Sequence, residues 1–191
     1  MSTIETVDSM PPATAPTAPA FRRWKNYPRA GIDFPDINTL GADGSALARI
    51  AADFAAVLPA DLDIVAGIDL GGAALAGAVA RARGCGFMHI RKIGSLRTEI
   101  IRNFIENHEI AHDLAVSRGV ALSGRRIALI DDCLLSGETV IRAARLLGER
   151  GAICDRALVA FEIDGLGGRE RLAQAGLALH AAMTVQQRQA E

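Results

Sequence analysis

Residues 127 to 147, IALIDDCLLSGETVIRAARLL, restrict the fold of this chain more than any other stretch. Ile127, Leu129 and Ile130 form a short apolar run that reads as a buried strand, with Asp131 and Asp132 at its C-terminal end. Ser136, Gly137, Glu138 and Thr139 then turn the chain into an amphipathic helix carrying Val140, Ile141, Ala144, Leu146 and Leu147. Such a turn points backbone N–H groups and two hydroxyls at one spot, which suits a phosphate. The paired carboxylates beside it suit vicinal hydroxyls or a hydrated Mg²⁺. A ligand with a phosphate at one end and a ribose diol in the middle would engage both. Two acids after a strand also occur in phosphoacceptor and hydrolase folds; the serine-glycine-threonine turn that follows favours the phosphate reading.

The remaining chain repeats the strand-then-helix order. Leu47 to Leu58 has apolar residues at helical spacing. Asp63 to Ile68 reads as a strand, Gly71 and Gly72 break it, and Ala73 to Arg83 continues as an alanine-rich helix. Gly86 to Arg91 and Ala157 to Ile163 are further strands. This alternation predicts an α/β chain with a mainly parallel central sheet flanked by helices. Ligands on such sheets bind beyond the C-terminal strand ends. Asp69, Lys92 and Asp131 each follow such an end and should converge.

The 191 residues suffice for one domain, expected over 21–191, and the Pro/Ala/Thr-rich stretch 1–20 reads as a disordered extension, with crossing onto a partner subunit as the alternative. A net charge of −1, with basic residues spread along the chain, gives no reason to expect a nucleic acid or an anionic membrane as partner. No long charge-free apolar run and no secretory leader pattern occur, so no membrane span is expected. The three cysteines, Cys85, Cys133 and Cys154, lack metal-ligand spacing and suit a reducing, cytoplasmic compartment.

The 127–147 stretch resembles the phosphoribosyl pyrophosphate (PRPP) signature of type I phosphoribosyltransferases: four apolar residues, two acids, three mostly apolar residues, then Thr/Ser-Gly-x-Thr/Ser. Three further segments resemble the adenine branch in order and spacing. NYPRAGIDFPDINTL (26–40) is similar to its N-terminal segment, with Tyr27 in place of a Phe. VAGIDLGGAALAGAVA (65–80) is similar to its pyrophosphate-loop segment, and GFMHIRKIGSL (86–96) to its Ile-Arg-Lys-x-Gly-Lys-Leu strand and turn. The resemblance implies the type I phosphoribosyltransferase fold with a small N-terminal hood. It also implies transfer of 5-phosphoribosyl from PRPP to a purine or purine-like base, with pyrophosphate released, Mg²⁺ bound with PRPP, no protein-side metal ligands, and a homodimer. By that resemblance Asp131 and Asp132 hold the ribose hydroxyls and support the developing oxocarbenium charge. Leu135, Ser136, Gly137, Glu138 and Thr139 hold the 5-phosphate. Asp69, Leu70, Gly71, Gly72, Arg91 and Lys92 face the pyrophosphate. Phe34 stacks on the base, its other reading being a core phenylalanine.

The chain departs from the adenine branch at identifiable places. Gly71 stands where that branch has Arg and Ser95 where it has Lys, so two cations toward the pyrophosphate are gone; Arg91, Lys92, Arg97 and Arg102 are the candidate replacements. Glu138 places a negative side chain beside the phosphate turn. Pro35 has no N–H, which removes the backbone donor that the branch uses to read its base. Residues 97 to 121 match the family's mobile flap poorly, leaving Glu106 and Glu109 as candidate acid–base groups. Two alternatives stay open from these departures: a PRPP- or nucleotide-binding regulatory protein with little catalysis, and a transferase for an unusual heterocycle. Within the flap, His108-Glu109-Ile110-Ala111-His112 fits the H-E-x-x-H zinc-peptidase pattern, which needs both histidines one turn apart on a helix; without a third ligand it reads as a polar flap helix.

Overall fold

The strands here are apolar on both faces, and the computed structural model, which describes residues 21–93, 108–111 and 113–186, shows why. Five parallel strands lie at the centre: β3 (Ile64–Ile68), β4 (Gly86–Lys92), β7 (Arg126–Leu134), β8 (Ile153–Ile163) and β9 (Ala178–Val185). Two short strands, β5 (His108–Ala111) and β6 (Leu114–Ser117), extend the sheet antiparallel beside β4, giving the order β5-β6-β4-β3-β7-β8-β9. Along β7, Ala128 and Ile130 pack toward helices α2 (Gly44–Val57) and α3 (Asp69–Arg83). Ile127 and Leu129 pack toward α4 (Glu138–Glu149) and Leu172 of α5 (Gly168–Gln174). Period-2 alternation therefore feeds two cores, and both faces must be hydrophobic.

The N-terminal hood packs onto the core that α2 and α3 share. Strands β1 (Arg23–Trp24) and β2 (Phe34–Pro35) pair antiparallel, and α1 (Ile37–Gly41) follows. Buried Asp36 caps α1 by accepting from the Asn38 N–H at 2.9 Å, and its own N–H donates to the Arg22 carbonyl at 2.9 Å. Phe21 packs on Phe161 of β8, ring centroids 4.6 Å apart.

Three expectations change. The strand reaching Ile130 continues through Leu134, because Asp131, Cys133 and Leu134 keep pairing with Val159, Phe161 and Glu162 of β8; the two acids lie inside the strand's last turnless stretch, not after it. Gly71 and Gly72 do not break the chain into a loop: α3 begins at Asp69 and includes both. A glycine in a helix costs about 1 kcal/mol relative to alanine, and here close packing offsets it, since a Cβ on Gly72 would overlap the Ile130 carbonyl oxygen. The His108–Ala111 segment is a strand paired with Leu114–Ser117, not a helix, so the helical presentation that a zinc peptidase requires is absent there. Strand β9 had no separate expectation in the sequence. Residues 1–20, His112, and Ser95, Arg97, Arg102 and Glu106 of the flap region lie outside the described residues.

Candidate active site

The C-terminal ends of β3, β4 and β7 bring Asp69, Lys92, Asp131 and Asp132 around one cavity of about 530 Å³. The opposite walls are Tyr27, Phe34 and α1. A second cavity of about 320 Å³ shares Tyr27, Phe34, Lys92, Asp131 and Asp132 with the first and continues along the turn into α4. All five expected phosphate-turn residues, Leu135 to Thr139, line it. A third, beneath the hood, adds Trp24, Pro35 and Asp36. Phe34 lines all three and meets Tyr27 edge-to-face at 5.4 Å, so an aromatic corner stands over the acids.

The two acids differ. Asp131 is 5% exposed and accepts the Asp132 N–H at 2.9 Å. Burial, and then the charge of Asp132, hold its carboxyl well above the usual carboxylate range; Lys92 pulls the other way. Asp132 is half-buried and faces α3: a Cβ built on Gly71 would lie 2.5 Å from its Oδ2. The pair thus provides one buried acid that resists ionisation and one more accessible carboxylate, with a lysine nearby.

The turn at Leu135 to Thr139 is shaped from behind. Gly137 takes a φ of 76°, a left-handed conformation open to glycine, and leads into the N-terminus of α4. Gly168 at the start of α5 packs so closely beneath the turn that a Cβ there would overlap the Leu135 carbonyl oxygen. Arg169 keeps α5 in place by donating from Nε to Glu162 Oε1 of β8 at 2.8 Å, with a second bond from Nη2 to Oε2. Nothing in the sequence reading pointed to Gly168; adjacent glycines 30 residues beyond the turn carry no local signal of that contact. Gly168→Val is therefore expected to weaken PRPP binding at least about tenfold, since over-packing costs about 1–3 kcal/mol, as titration calorimetry will read; unchanged affinity would show that the turn does not lean on α5.

Glu138 resolves differently from its sequence position. It lines the second cavity, yet its Oε1 accepts from Arg142 Nε at 2.9 Å, one turn along α4, and Arg142 also reaches Asp113 at 3.1 Å. Its charge is thereby compensated beside the phosphate turn.

At the start of α3, Asp69 holds a φ of 52°, an uncommon conformation for a residue with a side chain. Asp69, Leu70 and Gly71 line the large cavity, and Lys92 lines two cavities. Gly72 serves helix packing, and neither it nor Arg91 lines any of the three cavities described. Arg91 instead pairs with Ala115 of β6 through the backbone. Tyr27, Ile37, Asn38 and Leu47 join the site unannounced, because residues far apart in sequence only meet there through the hood.

Residues 38–171 match the family model of the phosphoribosyl transferase domain. The chain is 38% identical over 156 residues to the adenine phosphoribosyltransferase of Mycobacterium avium, covering 80% of this chain and 84% of that one. It is 39% identical over 150 residues to the adenine phosphoribosyltransferase of Clavibacter michiganensis, covering 78% and 84%. The solved structure of adenine phosphoribosyltransferase from Thermoanaerobacter pseudethanolicus superposes with a TM-score of 0.71 at 25% identity, over 86% of this chain and 95% of that one.

Proposed function

Since the chain belongs to the adenine phosphoribosyltransferase family, within the phosphoribosyl transferase domain family, we propose that it transfers 5-phosphoribosyl from PRPP to a purine or purine-like base and releases pyrophosphate, a purine-salvage reaction. The observation that carries this reading is the join between the two main cavities: the phosphate turn on one side, the aromatic corner on the other, and the acid pair with Lys92 between them.

The 5-phosphate sits on the N-terminal amides of α4 and the Ser136 and Thr139 hydroxyls, where helix dipole and N–H groups favour an anion. Asp131 and Asp132 meet the ribose hydroxyls. As the bond at C1 lengthens, positive charge grows on the ribose beside this acid pair, an interaction stronger in the transition state than in the ground state. Lys92 and the first residues of α3 face the departing pyrophosphate, and Phe34 with Tyr27 positions the base. Magnesium enters with PRPP as part of the substrate; among the described residues no group of three or more His, Cys, Asp or Glu could hold a metal ion.

The protein works as a homodimer built from one domain over 21–191, and exposed Phe87 and Ile110 on the β5–β6–β4 side of the sheet are apolar surface available to a partner. It resides in the cytoplasm. Supporting this, the three cysteines are free thiols. No helix among the described residues is long and apolar enough to cross a membrane.

The test is pyrophosphate release from Mg–PRPP with adenine, hypoxanthine, guanine or no base, alongside PRPP binding by calorimetry. Base-dependent release is the expected result. PRPP binding without release for any base would replace the enzyme with a nucleotide-binding regulator.

A further inference from the structure

We propose that Arg142 is a positioning residue that keeps the N-terminus of α4 open to the 5-phosphate by drawing Glu138 away from it; this rests on the transfer reaction proposed above, whose phosphate the turn holds. Glu138 is the first residue of α4, and Gly137 before it supplies no side-chain cap. The first amides of a helix have no intrahelical partner and attract a nearby anion. Two anions therefore compete for the same amides: a bound phosphate, and the carboxylate that the chain itself carries at Glu138.

The lining of the second cavity makes that competition matter. Among the described residues its charged groups are Lys92, Asp131, Asp132 and Glu138. Leu135 to Val140 contain no basic residue. The turn relies on amides and hydroxyls, so a carboxylate folded back onto them would fill the anion site and repel an incoming dianion.

Arg142 settles where that carboxylate goes. Its Nε donates to Glu138 Oε1 at 2.9 Å, and its Nη1 donates to Asp113 Oδ2 at 3.1 Å. Arg142 stands one turn further along α4, so the pairing turns Glu138 down the helix flank, away from the N-terminal amides. Asp113 directly precedes β6, and its carbonyl accepts from the Ile93 N–H at 2.9 Å, which ties its backbone to the end of β4. The guanidinium is thus held from two sides, by its own helix and by a segment anchored on the sheet. The Arg142 and Glu138 side chains are 39% and 53% exposed. A pair so exposed adds little to stability, so its effect belongs to the anion site beside it.

Calorimetry of ribose 5-phosphate binding to the full chain reads the turn without any base or turnover. Arg142→Gln is expected to weaken binding about tenfold at low ionic strength, because an unpaired carboxylate then faces the phosphate, and to weaken it less at high ionic strength. Glu138→Gln removes the competing anion, leaves the arginine, and is expected to tighten binding severalfold. The double variant should bind at least as tightly as wild type, a rescue that damage to the helix would not produce. Arg142→Gln with wild-type affinity overturns the inference and leaves the transfer reaction standing, as does a double variant as weak as Arg142→Gln alone. If Arg142→Gln does not fold, Glu138→Gln decides by itself: binding no tighter than wild type overturns the inference. No ribose 5-phosphate binding by the wild-type protein overturns the inference together with the assignment of the turn that it rests on.

Discussion

Asp131→Asn is expected to lower turnover by about 10²–10³-fold and, in the same protein, to raise the melting temperature at pH 7.5. The loss follows from removing the buried acid that meets the ribose hydroxyls beside the charge that develops on the ribose. The gain follows from the position of Asp131 in the fold. In the unfolded chain this acid ionises near ~3.9. In the folded chain, burial and then the Asp132 charge keep its proton on to higher pH. A raised acid supports the fold fully below the unfolded value, and that support drains away as pH rises toward the folded one. Asparagine is neutral throughout and loses nothing. The difference in melting temperature should therefore be small near pH 4 and widen as pH rises, on the order of 2–4 °C for each kcal/mol in a chain of this size. Calorimetric scans of the ligand-free protein between pH 4 and 8 read it directly. A variant that melts no higher than wild type at pH 7.5 contradicts the burial argument, and one with normal turnover removes Asp131 from the reaction.

Gly71→Arg is the second large effect, and its expected sign opposes what the family resemblance suggests. An arginine here restores the cation of the adenine branch, yet turnover should fall by about 10²-fold or more. A Cβ at this position would lie 2.5 Å from Asp132 Oδ2, 2.7 Å from its Cγ and 2.8 Å from its Cβ. Either Asp132 must leave the cavity or α3 must retreat, and α3 is pinned because Gly72 already packs against the Ile130 carbonyl. Gly71→Ala separates size from charge: it adds the colliding methyl alone. Similar losses in both variants, measured as pyrophosphate release, support the steric account. A silent alanine with a faster arginine would mean that the missing cation, not the acid's position, limits this chain.

The parts of this protein legible in the sequence are those in which neighbouring residues act on one another. The strand, acids, turn and helix of 127–147 are local: hydrophobic period, turn chemistry and an N-terminal array of amides are properties of consecutive residues, and Leu135 to Thr139 line one cavity as their pattern required. The convergence of Asp69, Lys92 and Asp131 was equally readable, because parallel strands place their C-terminal ends on one side. The β5–β6 pairing was not. His108–Ala111 carries a motif that suits a helix, and what makes it a strand is the edge of β4 extended by Leu114–Ser117.

Packing across the fold decided the rest. That Gly71 is a space for Asp132, that Gly72 is a space for Ile130, and that Gly168 supports the phosphate turn each depend on two elements approaching within contact distance. Glycine in a sequence signals freedom; only its neighbours show that it is there to be close to something. Likewise Glu138 looks misplaced beside a phosphate until Arg142 is seen to hold it. Two acids, a glycine turn at a helix N-terminus and a lysine at strand ends were readable from consecutive residues, because they follow from local pattern and strand direction. Which acid is buried and what the glycines admit were settled by packing, because burial and close approaches arise where distant segments meet.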